Sequence, residues 1–277
     1  DAAGNVYLAC FSSSNAFKIT PGGTITEIID PTGDGTNNLH WPGGIAVDSL
    51  GNVFTTSTTN SGQPEWVFKI TPGGVITTFF DPAVGDGVNA CLTGIFGIAT
   101  DPSDNVYVPC TNSHNVFKIT PAGTATQILD STGDGAGNTL GFPHHVATDT
   151  GGNLYVVGFN SRNVFKVEPL GAITEIIDST GDGAGSTLSQ PERAAVSSSG
   201  DVYVTGGGSN NAFEIGPGLP ELSVAPLIPG AELETVEVDV DLTTNGNSIA
   251  ATTFSIDYDE SCLSFDDTDG DADNIPD

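Results

Sequence analysis

The chain of 277 residues is strongly acidic, with 35 Asp and Glu against six Lys and Arg and a formal net charge of −29. Such a surface repels nucleic acid and anionic lipid, so neither is an expected partner. The acidity suits calcium binding, a salty medium or solubility alone. No run of about 18 apolar residues is present, so the sequence predicts no insertion into a membrane.

Four short patterns alternate along the chain from its first residues. The first is NVYL from Asn5, and it returns as NVFT, NVYV, NLYV and DVYV at spacings of 47, 53, 48 and 48 residues. The second is FKITPGG from Phe17, the third is ITEIID from Ile25, and the fourth is GIAV from Gly44. Alternating apolar residues in each pattern predict strands, and the TPGG segments predict hairpin turns.

Four strands in a unit of about 48 residues predict the four-stranded blade of a β-propeller in an all-β chain. The repeats are placed at 1–47, 48–100, 101–148, 149–196 and 197–218. The GIAV-type strand, which is the first and innermost of a blade, occurs four times, whereas the NVY-type strand occurs five times. About five blades are therefore present in a ring expected to have six or seven.

The beginning of the sequence supports the same expectation. Asp1 is not Met and falls within a repeat, which predicts a processed form or a fragment. Further blades are expected before Asp1, and a closed five-bladed ring would contradict this.

Four cysteines are present, and none is spaced as CxxC, which argues against a zinc ribbon or a thioredoxin-like motif. Cys91 precedes the first strand of the third blade and Cys110 ends its second strand, two positions on one face of a blade. We therefore predict a Cys91–Cys110 disulfide and an oxidising, extracellular location. Cys10 matches Cys110, so its partner is expected before Asp1, while Cys262 is free or pairs within the C-terminal region.

The repeats resemble those of known propeller families. GIAVDSLGNVFTT from Gly44 and HVATDTGGNLYVVGFNSRNVFKV from His145 are similar to NHL-type repeats and to the related repeats of streptogramin B lyase-like proteins. The resemblance covers residues 1–218 and implies the propeller fold. Function has to be argued from the site, because one fold serves many functions.

The composition changes after Gly218. Prolines mark residues 219–232 as a linker, and Val236 and Val238 then alternate with acidic residues in a strand pattern. Residues 233–277 resemble the start of a cohesin-like β-sandwich, which is partial here. This resemblance implies a protein partner, such as a dockerin-like domain, or self-assembly between copies of the chain.

The end of the chain, DDTDGDADNIPD, resembles the calcium motif of thrombospondin type 3 repeats. Alternate carboxylates on a curling loop converge on one hard cation, and Ca²⁺ prefers such oxygen ligands. A solvated acidic tail is the alternative. The expected calcium ligands are Asp269, Asp271, Asp273 and Asp277.

The loops after the outermost strands repeat as DPTGDG, DPAVGDG and twice as DSTGDG. A carboxylate flanked by glycines can bind calcium, but the same residues are the ordinary chemistry of tight turns. The weaker calcium candidates in these loops are Asp34, Asp86, Asp134 and Asp182.

The innermost strands begin near the propeller axis, on the face where small ligands usually bind. Two adjacent blades place His144 and His145 beside Glu192 and Arg193 at this point, where the other blades have glycine or phenylalanine. Two imidazoles with a carboxylate would suit acid–base catalysis, and in residue type they resemble a streptogramin-lyase-like site. The imidazoles would equally suit a transition metal, and the remaining alternative is a surface ion pair next to loop histidines.

Near-uniform repetition favours a non-catalytic scaffold over a pocket. The leading hypothesis is a secreted or cell-surface propeller for adhesion, display or assembly through protein–protein contacts, with Ca²⁺ as the expected cofactor. The rival hypothesis is a lyase or other small-molecule enzyme that uses His144, His145 and Glu192. An enzyme needs these side chains to converge on one enclosed pocket, and a scaffold does not.

Overall fold

A computed structural model describes residues 1–59, 65–91 and 93–216. These residues belong to the first of the two units into which the chain divides, Asp1–Leu219. The expected linker at 219–232, the cohesin-like region at 233–277 with its calcium motif, and Cys262 lie outside the described residues.

The described residues form five antiparallel sheets, each a meander of neighbouring strands, which is the architecture of β-propeller blades. Three sheets have four strands, while the first and the last have three. A single turn of 3-10 helix occurs at Thr111–Ser113. In chain order the strands are β1 (Val6–Cys10), β2 (Asn15–Ile19), β3 (Ile25–Ile29), β4 (Ile45–Val47), β5 (Val53–Ser57), β6 (Trp66–Ile70), β7 (Ile76–Phe80), β8 (Ala99–Thr100), β9 (Val106–Cys110), β10 (Asn115–Ile119), β11 (Ala125–Leu129), β12 (Pro143–Thr148), β13 (Leu154–Gly158), β14 (Asn163–Val167), β15 (Ile173–Ile177), β16 (Pro191–Val196), β17 (Val202–Gly206) and β18 (Asn211–Ile215).

The sequence repeat and the sheet are offset by one strand. The GIAV-type strand closes a sequence repeat, but it pairs with the NVY-type strand of the next repeat, so that Ile45 of β4 lies opposite Thr55 of β5. The first strands β4, β8, β12 and β16 contact one another from sheet to sheet, which makes them the inner strands of the blades. Each blade from the second onward is therefore built from two consecutive repeats.

Each sheet buries one face against the sheet before it and the other against the sheet after it. In the third sheet, Val108 and Phe117 point toward the second sheet, where the ring of Phe117 lies 5.5 Å from that of Phe80. The next residues in the pleat point the other way, so Tyr107 packs with Leu154 of the fourth sheet. Full burial of a side chain such as Phe117 stabilises the fold by about 1.5–3 kcal/mol.

The end sheets are the more exposed ones. Val6 and Leu8 of β1 are 55% and 45% exposed, whereas their equivalents Val106 and Val108 are fully buried. At the other end, Tyr203 is 41% exposed. That the blades belong to a six- or seven-bladed ring stays a prediction.

The third sheet contains the predicted disulfide. Cys91 and Cys110 are bonded, with their Cα atoms 5.2 Å apart. Cys10, at the position in β1 that matches Cys110, is a half-buried free thiol. Within the described ranges, no helix has the length and apolar character that crossing a bilayer requires.

Candidate functional site

The antiparallel meander gives the array two distinct ends. We call upper face the end where the inner strands begin and where the hairpins between second and third strands turn. The lower face is the opposite end, where the inner strands finish and the hairpins into the second strands turn. Since the chain reverses at every strand, the loops after the outermost strands also lead back to the upper face.

One backbone position just before each inner strand has a left-handed conformation. Only glycine adopts it freely, and other L-residues lose about 1–2 kcal/mol there. The residues at this position are Trp41 (φ 36°), Gly94 (φ 87°), Phe142 (φ 57°) and Gln190 (φ 47°). Two bulky aromatic residues thus lie in a conformation that needs support from their surroundings.

That support comes from the preceding sheet. In three successive sheets, a side chain of the upper hairpin accepts a hydrogen bond from the backbone N–H of the left-handed residue in the next sheet. The pairs are Ser14 Oγ with Trp41 N (3.3 Å), Glu65 Oε2 with Gly94 N (2.8 Å) and His114 Nδ1 with Phe142 N (2.7 Å). A guanidinium has no acceptor, so Arg162, in the equivalent hairpin position before Gln190, offers no such bond.

Glu65 is a buried charged group of the upper face, only 5% exposed. Its carboxylate accepts N–H groups from Thr59 (3.1 Å), Gly94 (2.8 Å) and Ile95 (3.2 Å), and it therefore joins the second sheet to the loop that enters the third. Burial raises the pKa of Glu65, and the three N–H bonds act against that rise. The only sequence signal for this residue is the 53-residue spacing, which lengthens the second hairpin.

Aromatic rings line the upper face from the first sheet to the fourth. Phe11 stacks on Trp41 with ring centroids 5.6 Å apart. His144 stacks on Phe96 at 5.0 Å and contacts Phe159 at 5.7 Å. The ring of Phe142 lies 6.1 Å from that of Phe159. We call this set the aromatic face; it consists of Phe11, Trp41, Phe96, Phe142, His144 and Phe159.

Trp41 and Phe96 precede the neighbouring inner strands β4 and β8. Between them, a Cβ atom at Gly43 would lie 3.1 Å from the Cα atom of Phe96, so glycine favours the close approach of the two backbones. Phe11 is 49% exposed and the other rings are partly exposed, so the aromatic face is accessible to a large ligand.

The predicted histidine site is only partly assembled. His144 Nδ1 lies 3.5 Å from the Glu192 carbonyl oxygen, a long contact, and His145 Nδ1 accepts the Ala194 N–H at 3.4 Å. The Glu192 carboxylate lies instead against the hairpin of its own sheet, where a Cβ on Gly207 would meet Oε1 at 2.6 Å. The structure thus places each imidazole against the backbone of β16 and puts the carboxylate beside Gly207.

Both imidazoles have a lowered pKa. For His144 burial is the main cause and the Arg193 guanidinium adds to it, while the contact with the Glu192 carbonyl and the charge of the Glu192 carboxylate act against the lowering. Burial likewise, followed by Arg193 and His144, lowers the pKa of His145 to about 4. Near pH 7 both rings are therefore neutral, and His145 has one nitrogen occupied by a backbone donor.

Two of the hollows in the described part of the chain lie away from the histidines. One, of about 390 Å³, opens at the lower face between the ends of the inner strands. The other, of about 190 Å³, lies between the third and fourth sheets beside Tyr107 and Lys118. Neither is lined by His144 or Glu192. The enclosed pocket that the enzyme hypothesis needs is not formed by these two hollows.

The repeated aspartates after the outermost strands cap their own loops. Asp34 accepts N–H groups from Thr36, Asn37 and, across the sheet boundary, Thr78. Burial would raise the pKa of Asp34, but these bonds outweigh it and lower the pKa to about 2. The pKa of Asp86 is likewise lowered to about 2, chiefly because its carboxylate accepts the Asn89 N–H and those of neighbouring residues.

The two later loops repeat this arrangement. The pKa of Asp134 is lowered first by the Asn138 side chain, and that of Asp182 by the Ala184 N–H. No cluster of three or more His, Cys, Asp or Glu suited to a metal occurs in residues 1–59, 65–91 and 93–216. The carboxylates are ionised and bound to N–H groups, and calcium at these four positions stays a prediction.

The lower face contains a network that the sequence reasoning missed. Asp101 accepts the N–H groups of Ser103 (2.9 Å) and Asn105 (2.9 Å), the Asn105 side-chain amide (2.8 Å) and the Tyr107 hydroxyl (2.9 Å). The first and fourth sheets form equivalent networks around Asp1 and Asp149. An Asp four residues before the Asn of the first four NVY-type patterns was the available signal, and in the fifth pattern Ser197 and Asp201 replace this pair.

Lysines also lie toward this lower end. Lys18 and Lys118 are each 5.9 Å from the centroid of a tyrosine ring, Tyr7 and Tyr107 respectively, whose hydroxyls donate to the lower-face aspartates. Such cation–π contacts stabilise by about 0.5–1 kcal/mol at partly exposed sites.

Comparison with known proteins supports the fold. The family model of the SBBP beta-propeller repeat matches residues 26–62. No curated protein matches the chain in sequence. Among solved structures, virginiamycin B lyase from Staphylococcus aureus is 17% identical with a TM-score of 0.55, over 80% of this chain and 69% of that one.

Two further solved structures have different functions. A chain of a nidogen/laminin complex is 22% identical with a TM-score of 0.57, over 77% of this chain and 72% of that one. An auxiliary nutrient binding protein from Bacteroides thetaiotaomicron is 14% identical with a TM-score of 0.53, over 75% of this chain and 54% of that one. At these identities the likeness shows the propeller fold alone.

Proposed function

We propose that this chain is a non-catalytic propeller scaffold that binds a protein partner through its aromatic face. The observation behind the proposal is the row of partly exposed rings across four sheets, with Phe11 and Trp41 at one end and Phe142 and Phe159 at the other. Aromatic side chains are enriched in the cores of protein–protein interfaces and supply most of their hot spots.

The chemistry of the same face argues for binding over catalysis. The two histidines are neutral and stacked or hydrogen-bonded, and the Glu192 carboxylate faces Gly207. A general acid–base pair needs its groups within hydrogen-bond reach of one reacting atom. The ring of His144 serves here as one more contact surface beside Phe96.

An extracellular or cell-surface location is part of the proposal. The Cys91–Cys110 disulfide supports it, because such bonds persist mainly in oxidising compartments. The nidogen/laminin neighbour is a propeller found in a protein complex, which supports a protein partner by analogy of fold. A cohesin-like region at 233–277 would add a second partner-binding or self-assembly module.

The binding test uses the full chain immobilised as bait for proteins of its own cell surface and medium. Wild type is compared with Phe96→Ala, which removes a central ring, and with Leu170→Ala, which removes a fully exposed side chain on a lower turn. We expect a partner retained by wild type and Leu170→Ala and lost at least tenfold by Phe96→Ala. Equal retention by Phe96→Ala would contradict the proposal.

Calcium is proposed as a stabilising cofactor, chiefly through Asp269, Asp271, Asp273 and Asp277. A ligand that binds only the native state raises its stability by about 2.7 kcal/mol at a hundredfold excess over Kd. We therefore expect a fall in melting temperature when excess chelator replaces calcium. A matched chain with these four residues changed to Asn should show no such fall, and an unchanged wild type would remove calcium from the proposal.

A lyase or other small-molecule enzyme is the second candidate. Two imidazoles at the start of β12, each in contact with the backbone of β16, favour it. It predicts turnover that is lost in His144→Ala, whereas the scaffold predicts partner binding that survives His144→Phe. Screening both variants for activity and for partner binding separates the two functions.

A further inference from the structure

The inference below rests on the proposed function and concerns the chemistry of the partner. We propose that the aromatic face receives a positively charged polypeptide segment, and that Trp41 and Phe142 are the residues that select it. Three observations support this: variation at one strained backbone position, the distribution of charge between the two ends, and the geometry of the rings.

The residue type at the left-handed position before each inner strand changes from sheet to sheet, and the backbone conformation does not explain the change. Glycine is the residue that this conformation favours, and Gly94 has it, with the added reason that a Cβ there would lie 2.9 Å from the Thr111 Cβ. Trp41, Phe142 and Gln190 occupy the same conformation at a cost. Non-glycine residues in such positions cluster at sites where the side chain has a function.

The preceding sheet compensates for the cost at the two aromatic positions. Ser14 and His114 accept the N–H groups of Trp41 and Phe142, which holds each ring on the upper face. Gln190 lacks an acceptor of this kind from Arg162. Gly94 receives the same bond from Glu65, so among the non-glycine residues at this position the two aromatic ones have the support and Gln190 does not have it from Arg162.

Charge is distributed unevenly between the two ends. The described residues include 20 Asp and Glu and six Lys and Arg, a difference of 14 negative charges. The four lysines lie in β2, β6, β10 and β14, and at the lower face they partly offset aspartates such as Asp1, Asp101 and Asp149. The loops that lead from the outermost strands to the upper face contain eight aspartates and no lysine or arginine. The aspartates of those loops are Asp30, Asp34, Asp81, Asp86, Asp130, Asp134, Asp178 and Asp182.

These carboxylates lie in the loops that lead back to the upper face. Hydrogen bonds lower the pKa of Asp34, Asp86, Asp134 and Asp182 and keep these four ionised, so they attract cations over a distance of about 8–10 Å at physiological salt. A lysine or arginine drawn to this face can place its charge over an aromatic ring, a contact stabilising by about 0.5–2 kcal/mol. Arg162 and Arg193 are the opposing charges on this face, and they lie toward the fourth and fifth sheets.

The test is a titration of the full chain with three synthetic peptides of equal length, one rich in lysine, one rich in glutamate and one neutral. The variants are Trp41→Gly, Phe142→Gly and the matched control Gln190→Gly, all at one backbone position. Since glycine fits the left-handed conformation, all three variants should fold, which thermal unfolding verifies. The acidic residues beyond 216 attract the lysine peptide equally in every variant, so the ratios between variants give the result.

We expect the lysine peptide to bind wild type more tightly than the other two peptides, and more weakly as salt is raised. Trp41→Gly and Phe142→Gly should each weaken it about tenfold, while Gln190→Gly stays within about twofold. Arg193→Gln, which removes a repelling charge, should tighten it. Equal affinities of wild type and the two aromatic variants, or no binding of the lysine peptide, would overturn the inference.

The two proposals fail in different ways. If the neutral peptide binds as tightly as the lysine peptide and depends on Trp41, the partner is not selected by charge, but the aromatic face remains a protein-binding surface. If no peptide depends on Trp41 or Phe142 and the bait experiment shows no dependence on Phe96, both proposals are wrong.

Discussion

The two ends of the blades follow opposite rules. At the lower face, the Asp101–Asn105–Tyr107 arrangement returns in the first and fourth sheets with the same residue types and the same bonds. At the upper face, one backbone conformation returns in four sheets while its residue changes from Trp41 to Gly94, Phe142 and Gln190. Residues that form hydrogen bonds within their own blade are repeated, whereas the residues at the left-handed position of the upper face differ from blade to blade. The comparison separates residues that stabilise the fold at the lower face from residues for which we propose recognition at the upper face.

Removal of a lower-face carboxylate should have the largest effect on stability. Asp101→Ala leaves the buried donors of Asn105 and Tyr107 without their acceptor, and each unsatisfied buried group costs about 1–3 kcal/mol. We expect the free energy of unfolding to fall by about 3 kcal/mol, measured by urea denaturation. Partner binding at the upper face should be unchanged in the folded variant. A loss below about 0.5 kcal/mol would show that the repeated network is not a stabilising one.

Removal of the disulfide should lower the stability of the fold by nearly as much. Cys91 and Cys110 are 19 residues apart, and closing a loop of this size stabilises by about 3 kcal/mol in the chain-entropy estimate. We expect the double change of Cys91 and Cys110 to Ser to lower the midpoint of urea unfolding accordingly. Cys10→Ser is the matched control, and because its thiol is free it should have little effect.

The contribution of Glu65, on the upper face, to the free energy of unfolding should depend on pH. Because burial raises the folded-state pKa of Glu65 above the usual 4.5, its contribution to stability is present below pH 4.5 and is lost as pH rises through the higher folded value. The stability of wild type minus that of Glu65→Gln should therefore fall across this range. Subtracting the variant cancels the other acids. A difference that does not change with pH would contradict the buried state of Glu65.

The aspartate loops allow a comparison between contacts within a blade and contacts across blades. Asp34 reaches Thr78 in the next sheet at 2.8 Å, whereas Asp182 bonds its own loop through Ala184 and Ser186. Asp34→Ala should cost about 1 kcal/mol, and Asp182→Ala less. The pKa of Asp34 is lowered to about 2, so its contribution is present above pH 3.8 and is lost as pH falls toward 2. Equal melting temperatures for the two variants would refute the role of the Thr78 contact.

The smallest stability effect is expected at Trp41. Glycine removes the cost of about 1–2 kcal/mol that the left-handed conformation imposes on Trp41. The variant also loses the stacking of the Trp41 ring on Phe11, which offsets that gain. Trp41→Gly should therefore leave the free energy of unfolding within about 1 kcal/mol of wild type, while binding of the lysine peptide weakens about tenfold. A large destabilisation would place Trp41 among the structural residues and remove the contrast between the two ends.

Some parts of the molecule were predictable from local patterns. Five NVY-type strands and four GIAV-type strands are present as predicted, because alternation and turn residues act within a few positions of the chain. The Cys91–Cys110 bond was predictable because both positions have fixed places in the repeat. The position of the Glu192 carboxylate was not predictable, since it depends on the space beside Gly207 in the hairpin that follows β17.

The sequence by itself determined the blade: its strands, its turns and the period that stacks one sheet on the next, because these follow from hydrophobic alternation and turn chemistry over short distances. Only the tertiary structure decided which side chains meet across blades. The bond of His114 to Phe142, the buried carboxylate of Glu65 and the stacking of Phe96 on His144 join residues that are 28 or more positions apart. Such contacts depend on how one sheet is rotated against the next, and no local pattern encodes that angle.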